Sequence, residues 1–154
     1  MGKSHYWAQT RSLTADEWAD LTKTAKAIVQ TFEDTFFIPM GDRFGRGNPE
    51  LTDEVIAFNG NGADGCESFV IHREIQPPVY EGGKAGYDSC KTRGLAYGRA
   101  VIAVLLYVDA VLKTHTVWSD ATPSEWNDGV GLAIDALGYP LEQALEGYKP
   151  ALAA

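Results

Sequence analysis

One stretch of the chain, LAYGRAVIAVLLYVDAVLK at residues 95–113, limits the possible folds more than any other. Its uninterrupted apolar run, Ala100 to Val108, is far shorter than the roughly 20 residues that a transmembrane helix needs. Arg99 and Asp109 flank the run and would both lie in the lipid. We therefore predict that a helix near residues 95–112 is the most buried element of a soluble protein. The side chains expected to be inaccessible are Ala100, Ile102, Val104, Leu105 and Val108.

The clearest helix start in the sequence is at Thr14. Thr14 and Glu17 have the spacing of a capping box, in which the hydroxyl accepts from the Glu17 amide and the carboxylate accepts from the Thr14 amide. Apolar residues then recur at intervals of three and four, which predicts a helix with one face on the protein core. That face consists of Trp18, Leu21, Ala25, Ile28 and Phe32.

Several short segments have the alternation or the aromatic and β-branched content of strands. The predicted strands are residues 5–10, 35–40, 54–59, 66–75 and 115–119, the last being the final strand of the chain. In the segment 66–75, Phe69, Ile71 and Ile75 are expected to share one face. We expect residues 55–59 and 67–75 to pair as antiparallel strands.

The order of these elements predicts the fold class. A second capping box is predicted at Thr122 and Glu125, with a stop at Gly138, and the buried helix is expected to begin between Ser89 and Gly94. Strands and helices then alternate irregularly, which is typical of an α+β fold. We predict a single domain over residues 1–154, with a mostly antiparallel sheet packed on the long central helix and flanking N- and C-terminal helices.

Charge and cysteine content exclude some classes of partner. The formal net charge is -8, so the chain repels phosphates overall and nucleic-acid binding is not expected. The first residues lack the apolar core of a signal peptide, and the two cysteines, Cys66 and Cys90, are not needed as a disulfide in a chain of 154 residues. We expect reduced thiols, a cytoplasmic location, no membrane contact and no cofactor.

The segment AFNGNGADGCESFV, residues 57–70, looks most like a site. Gly60 to Gly65 match G-x-G-x-x-G, but a dinucleotide loop must lead into a helix, whereas the following residues alternate like a strand. The chain is too short for a protein kinase and lacks its H-R-D and D-F-G motifs. Counted from Asn59, the calcium-loop pattern fails at Ala63, which offers no oxygen ligand. A wide hairpin loop is the favoured interpretation.

The segment CKTRG, residues 90–94, carries two positive charges. Lys91 and Arg93 are expected at or before the start of the buried helix, where free amides and the helix dipole attract an anion. Asp64 and Glu67 would either neutralise these cations or act beside them as an acid/base pair.

Two further kinds of chemistry can be weighed from residue spacing. A nucleophile pair of Cys66 or Cys90 with His72 stays open, although most lone thiols are inert packing groups. The histidines are scattered, and none has zinc-ligand spacing to a cysteine. We therefore predict no metal site.

Several short motifs resemble a family of small uncharacterised phage and prophage proteins. In that family a strand ending in F-N-G leads to G-x-x-x-x-E-[ST]-F, C-K-T opens a helix, and a serine-aspartate segment follows near the end. The matching positions are Phe58, Asn59, Gly60, Gly62, Glu67, Ser68, Phe69, Cys90, Lys91, Thr92, Ser119 and Asp120. The sequence departs from the pattern after C-K-T and at Cys66, where the family has histidine. The resemblance covers most of the chain and implies a phage setting, without an established activity.

Three functions are compatible with these features. The first is a phage-type accessory protein that binds a host or phage protein or a small anionic ligand. The second is an enzyme acting on a nucleotide or other phosphorylated small molecule, and the third is a virion structural component. A ligand site is predicted where the glycine loop approaches the CKTR segment, since binding often resides on polar loops. Its candidate residues are Asn59, Gly60, Asn61, Gly62, Asp64, Glu67, Lys91, Thr92, Arg93 and Asp120.

Overall fold

The computed structural model describes residues 3–152 and shows the predicted α+β fold. The strands are β1 (Ser4–Gln9), β2 (Met40–Gly41), β3 (Glu50–Leu51), β4 (Val55–Gly60), β5 (Phe69–His72), β6 (Tyr87–Lys91), β7 (His115–Ser119) and β8 (Ala151–Leu152). The helices are α1 (Ala15–Phe36), α2 (Gly98–Ala110), α3 (Pro123–Leu137) and α4 (Tyr139–Ala144), and a single 3₁₀ turn spans Gly62–Asp64.

The strands form two sheets that meet through aromatic side chains. The first has the order β6-β1-β7-β8, antiparallel except for the parallel pair of β7 and β8. The second centres on β4, which pairs antiparallel with β2, β3 and β5. Trp7 on β1 contacts Phe69 on β5 edge-on, with 5.3 Å between ring centroids, and Phe69 lies 5.0 Å from Phe58 on β4. These rings join the two sheets into one core.

Helix α2 is the most buried helix, as the sequence predicts. All five side chains expected to be inaccessible are buried, namely Ala100, Ile102, Val104, Leu105 and Val108. A helix that is apolar around its whole circumference needs neighbours on every side, and α2 packs against α1, α3 and β7. Over residues 3–152, the structure contains no helix with the length and apolar character needed to cross a bilayer.

Helix α1 begins as predicted but ends later than expected. Both hydrogen bonds of the capping box at Thr14 form, and the predicted apolar face is buried. The prediction of a strand at 35–40 is wrong, because α1 continues to Phe36, whose ring packs 5.0 Å from that of Phe32 one turn earlier. Only Met40–Gly41, after Pro39, is extended and paired.

The largest correction concerns the segment before α2. Residues Tyr87–Lys91 form an unpredicted strand, β6, which pairs antiparallel with β1. The predicted start of the central helix between Ser89 and Gly94 is therefore wrong, and α2 begins at Gly98. Only Cys90 of β6 is buried, so this edge strand lacks the apolar alternation that marks a strand in a sequence.

Three smaller corrections concern where other strands and helices begin and end. β5 ends at His72, so Ile75 lies outside it and is exposed. The strand β7 matches residues 115–119, but β8 follows it and is the last strand among the described residues. Thr122 caps α3 and Gly138 ends it, yet the Glu125 carboxylate accepts from the Thr122 hydroxyl, so the second capping box does not form.

Two glycines of α3 provide a matched test of the packing of α2 on α3. A Cβ at Gly129 would overlap the Ile102 side chain on α2, whereas a Cβ at Gly131 would meet nothing within 4 Å. We expect Gly129→Ala to lower the free energy of unfolding by about 1–3 kcal/mol through overpacking. Gly131→Ala should raise it by about 0.5–1 kcal/mol, because alanine is the better helix former. Urea unfolding of both variants measures this, and equal effects would contradict the tight contact.

Candidate functional site

The glycine loop joins two antiparallel strands. β4 pairs with β5 in the register Val55↔His72 to Phe58↔Phe69, which confirms the predicted hairpin. Only the short 3₁₀ turn Gly62–Asp64 lies between them, so the loop does not open a helix. A dinucleotide fingerprint needs a helix start at this point, and that interpretation is excluded.

Asn59 and Gly60 close the loop from inside. The buried Asn59 amide donates to the carbonyl oxygen of Cys66 at 3.0 Å and accepts from the Cys66 amide at 3.1 Å. A side chain at Gly60 would collide with the carbonyl of Asp64. These residues therefore act on their own loop, holding its ends together.

The middle of the loop faces outward and touches the chain after α1. The Asn61 side chain donates to the carbonyl oxygen of Pro39 at 3.3 Å, and the Gly62 amide donates to the carbonyl oxygen of Gly45 at 3.0 Å. Gly62 has a φ of +52°, a conformation that favours glycine. The Asp64 side chain is exposed.

The glycine loop does approach the CKTR segment, through Glu67 and Lys91. The Glu67 amide donates to the Lys91 carbonyl oxygen at 3.1 Å, and the Glu67 carboxylate accepts from the Lys91 amide at 2.7 Å. The Glu67 side chain thus binds the backbone of β6 and protects an edge strand. The Lys91 and Arg93 side chains are exposed and form no ion pair with the part of the chain that the structure describes.

The start of α2 does not offer the free amides expected for an anion. The amides of Gly98, Arg99 and Ala100 donate to the carbonyl oxygens of Leu95, Ala96 and Tyr97. An extra turn therefore satisfies the groups that would otherwise be unpaired at a helix start. Lys91 and Arg93 also precede this helix by several residues, so the dipole argument for their position is wrong.

A buried polar cluster lies behind Lys91, and sequence reasoning found only part of it. His5 on β1 bonds the Ser119 hydroxyl through Nδ1 at 2.8 Å and the Thr92 hydroxyl through Nε2 at 3.3 Å. Asp120 accepts from the Ser4 amide at 2.7 Å. His5 could have been found from its position in β1, where it alternates with Trp7 on the buried face.

Burial decides the protonation of His5. It lowers the pKa of His5 to about 4, against the smaller opposing effects of the Asp120 and Glu125 carboxylates. The imidazole is therefore neutral at pH 7, where it can donate one hydrogen bond and accept one. Both ring nitrogens already have hydroxyl partners, which gives His5 a structural role.

Four of the ten predicted site residues, Asn59, Glu67, Lys91 and Asp120, belong to one row of contacts across the strand ends. The row begins with the hydrogen bond of Asn59 to Cys66. Glu67, which follows Cys66 in the chain, binds the amide of Lys91. Lys91 is paired across the sheet with Ser4, whose amide binds the Asp120 carboxylate. Asn59, Glu67 and Asp120 each accept a hydrogen bond from a backbone amide through one side-chain oxygen. The row explains how the loops are held, and the assignment of its residues to a ligand stays a prediction.

A small cleft of about 50 Å³ opens beside this row, lined in part by Lys3, His5, Thr92 and Arg99. Its charges are paired within the cleft. Lys3 lies 3.1 Å from the Glu125 carboxylate and Arg99 lies 3.7 Å from the Asp128 carboxylate. A volume of this size holds one or two water molecules and little more.

The Cys90 thiol is buried, whereas the Cys66 thiol is partly exposed. Both cysteines are free, and the buried Cys90 donates to the carbonyl oxygen of Glu67 at 3.4 Å. Burial raises the pKa of Cys90 to about 12, so the reactive thiolate is suppressed. His72 lies on β5, where burial lowers its pKa and the Asp88 carboxylate opposes that effect. These features make Cys90 a packing group.

Comparisons with known proteins leave the family open. The chain matches no protein-family model, and no curated protein and no solved structure is detectably similar to it. Within residues 3–152, no three histidine, cysteine or carboxylate side chains are grouped so that they could hold a metal ion.

The structural role of the F-N-G motif can be tested with its two asparagines. Asn59→Ala removes the three hydrogen bonds of a buried side chain, two to the Cys66 backbone and a longer one to the Arg43 carbonyl oxygen, and should cost about 1–3 kcal/mol of unfolding free energy. Asn61→Ala removes one weak bond at a partly exposed position and should cost less than about 0.5 kcal/mol. Thermal unfolding of the two variants measures the difference. A larger effect at Asn61 would contradict the assignment.

The neutral state of His5 predicts a pH dependence of stability. Its folded pKa of about 4 lies below the ordinary 6.5, so the unfolded chain takes up a proton first as the pH falls. The contribution of neutral His5 to the free energy of unfolding is therefore complete above pH 6.5 and is lost as the pH falls towards 4. Between pH 7 and pH 5 this loss should amount to about 2 kcal/mol. Urea unfolding at both pH values should show a smaller loss in His5→Gln. An unchanged loss would contradict the buried neutral imidazole.

Proposed function

We propose that the protein is a non-enzymatic accessory protein that binds another protein through exposed aromatic side chains beside the glycine loop. The observation that carries the proposal is the exposure of two phenylalanines, Phe37 at 86% and Phe44 at 72%. We call this surface the aromatic end; its exposed residues are Phe37, Pro39, Phe44, Gly62 and Ala63. Burial of a phenylalanine side chain stabilises by about 1.5–3 kcal/mol, which is available to a partner here.

The backbone at Phe37 supports a functional reason for this exposure. Phe37 ends α1 with a φ of 57° and a ψ of 31°, the left-handed conformation that glycine usually adopts at a helix end. For a bulky side chain this conformation costs on the order of 1 kcal/mol or more. Stability alone would favour glycine at this position, so the phenylalanine lowers the stability of the fold.

The glycine loop supports the aromatic end from behind. Its Asn61 side chain holds Pro39, two residues after Phe37, and its Gly62 amide holds Gly45, the residue after Phe44. A partner can approach the loop closely, because nothing lies within 4 Å of the Cβ position at Gly62. The motif thus has a role in a contact surface without holding a ligand itself.

The charge next to Phe44 indicates the chemistry of the partner. The exposed Arg46 guanidinium lies over the Phe44 ring, 5.8 Å from its centroid, and forms no ion pair with residues 3–152. Aromatic residues and arginine are enriched among the residues that dominate protein interfaces. The partner we propose is a host or phage protein that offers an apolar pocket with carboxylates at its rim.

A small anionic ligand is the second candidate, whether it is only bound or is the substrate of an enzyme. It is favoured by the exposed cations Lys91 and Arg93. It is opposed by Glu67, whose carboxylate already accepts from the Lys91 amide and is poorly placed for acid/base work. Calorimetric titration with inorganic pyrophosphate and nucleotides separates this candidate from the first.

A virion role, the third candidate, would be recognised by stoichiometric amounts of the protein in purified particles.

The proposed contact can be tested by photo-crosslinking in bacterial cells. A benzophenone amino acid replaces Phe44, which is 72% exposed, in one variant and Tyr139, which is 66% exposed, in a control. We expect a discrete protein adduct only from position 44. Adding Phe37→Gly to the position-44 variant should abolish the adduct while raising the free energy of unfolding by about 1 kcal/mol, because glycine relieves the left-handed strain.

The two readouts separate lost binding from lost folding. An adduct that forms equally from positions 44 and 139, or that persists with Phe37→Gly, would overturn the proposal. No adduct at either position would overturn it as well. Loss of the adduct with unchanged or higher stability supports it.

A further inference from the structure

The loop between β5 and β6 contains a continuous exposed segment. All nine residues of this segment, EIQPPVYEG at 74–82, are exposed. Val79 and Tyr80 are each 67% exposed, although both side chains are largely apolar. Exposed apolar residues that are contiguous mark interaction sites, whereas single ones are ordinary. The segment shares no residue with the aromatic end.

The base of this loop is fixed to the rest of the protein. The Gly86 amide donates to the Gln76 carbonyl oxygen at 3.0 Å, which joins the two sides of the loop. The Gly86 carbonyl oxygen accepts from the Gln9 amide on β1 at 2.9 Å. The Ile75 amide donates to the Ser12 hydroxyl at 3.1 Å. The residues between Gln76 and Gly86 are therefore presented from an anchored base.

Two consecutive prolines restrict the backbone of the exposed segment. A proline ring holds φ at about −65°, and a residue before a proline is confined to extended or polyproline II conformations. Gln76 and Pro77 each precede a proline and are restricted in this way. Pro77, Pro78 and Val79 form no backbone–backbone hydrogen bond within residues 3–152. A polyproline II helix likewise has no internal hydrogen bonds and a solvated backbone.

A tight turn ends the segment after Tyr80. The Gly83 amide donates to the Tyr80 carbonyl oxygen at 3.1 Å. Gly82 has a φ of +81°, which glycine adopts without strain. A Cβ at Gly83 would lie 3.1 Å from the Tyr80 ring, so the absence of a side chain there leaves room for the ring. The turn thus limits the exposed proline-rich segment to residues 77–80.

The spacing of Pro77 and Tyr80 fits a groove that recognises polyproline II. This helix has three residues per turn, so side chains three residues apart face the same side. Aromatic-lined grooves of SH3 and WW domains bind such segments, and a restricted backbone lowers the entropy cost of binding. Tyr80 stands where a P-x-x-P ligand has its second proline, so the groove must accept an aromatic ring there. Glu74 and Glu81 are exposed beside the segment, and cations at the rim of the groove would complement them.

We propose that residues 77–80, PPVY, bind a WW domain of the class that recognises P-P-x-Y. Aromatic side chains of the groove hold the two prolines, and a second pocket takes the Tyr80 ring. Val79 occupies the variable position and contributes little to the affinity. This surface is separate from the aromatic end, so either proposal can fail without the other.

Recombinant WW domains that bind P-P-x-Y peptides are the probes, each titrated separately into the full chain by calorimetry. At least one should bind with one-to-one stoichiometry. Tyr80→Ala should weaken that binding by about tenfold or more, because a few buried aromatic anchors dominate protein interfaces. Val79→Ala changes a neighbour of equal exposure and is the matched control. It should change the Kd by less than about twofold, since most contacts around an anchor are nearly neutral.

Folding is checked separately from binding. Both positions are exposed, so neither substitution should shift the midpoint of thermal unfolding. The proposal is overturned if no WW domain of this class binds the wild-type chain. It is also overturned if Tyr80→Ala binds like wild type, or if Val79→Ala weakens binding as much as Tyr80→Ala does.

Discussion

The fold depends on one requirement, which is to cover a helix that is apolar on every side. Helix α2 is too apolar to face water anywhere along Ala100–Val108. Its neighbours α1, α3 and β7 pack around it and exclude water. Close approach of α3 is possible because Gly129 has no side chain to meet Ile102. β7 is a strand of the first sheet, and the rings of Trp7 and Phe69 extend the same core to the second sheet.

Polar motifs in this chain serve mainly to fix loops at the rim of that core. Asn59, Glu67 and Asp120 each accept from a backbone amide, and together they join the glycine loop, β6, β1 and β7 at one edge. His5 lies behind them as a neutral, fully bonded imidazole. At this edge, the polar side chains thus hold strands and loops together.

Backbone strain marks the places where the surface departs from what stability alone would select. Three residues other than glycine have positive φ, namely Phe37, Arg93 and Lys113, within the described part of the chain. Phe37 and Lys113 follow the ends of α1 and α2, where glycine would fit without strain. Phe37 carries a large exposed ring into the proposed contact surface.

The sequence by itself determined the features that depend on local spacing. The capping box at Thr14, the stripe of α1, the burial of α2 and the β4–β5 hairpin each follow from a repeat or a cap within a few residues. Tertiary structure decided the rest. β6 is a strand because β1 pairs with it, although its sequence YDSCK has no apolar alternation. Lys91 therefore lies at a sheet edge and not at the predicted helix start. Residues far apart in the chain meet in the row from Asn59 to Asp120. No local sequence pattern encodes such contacts, because they form only when the core brings distant strands together.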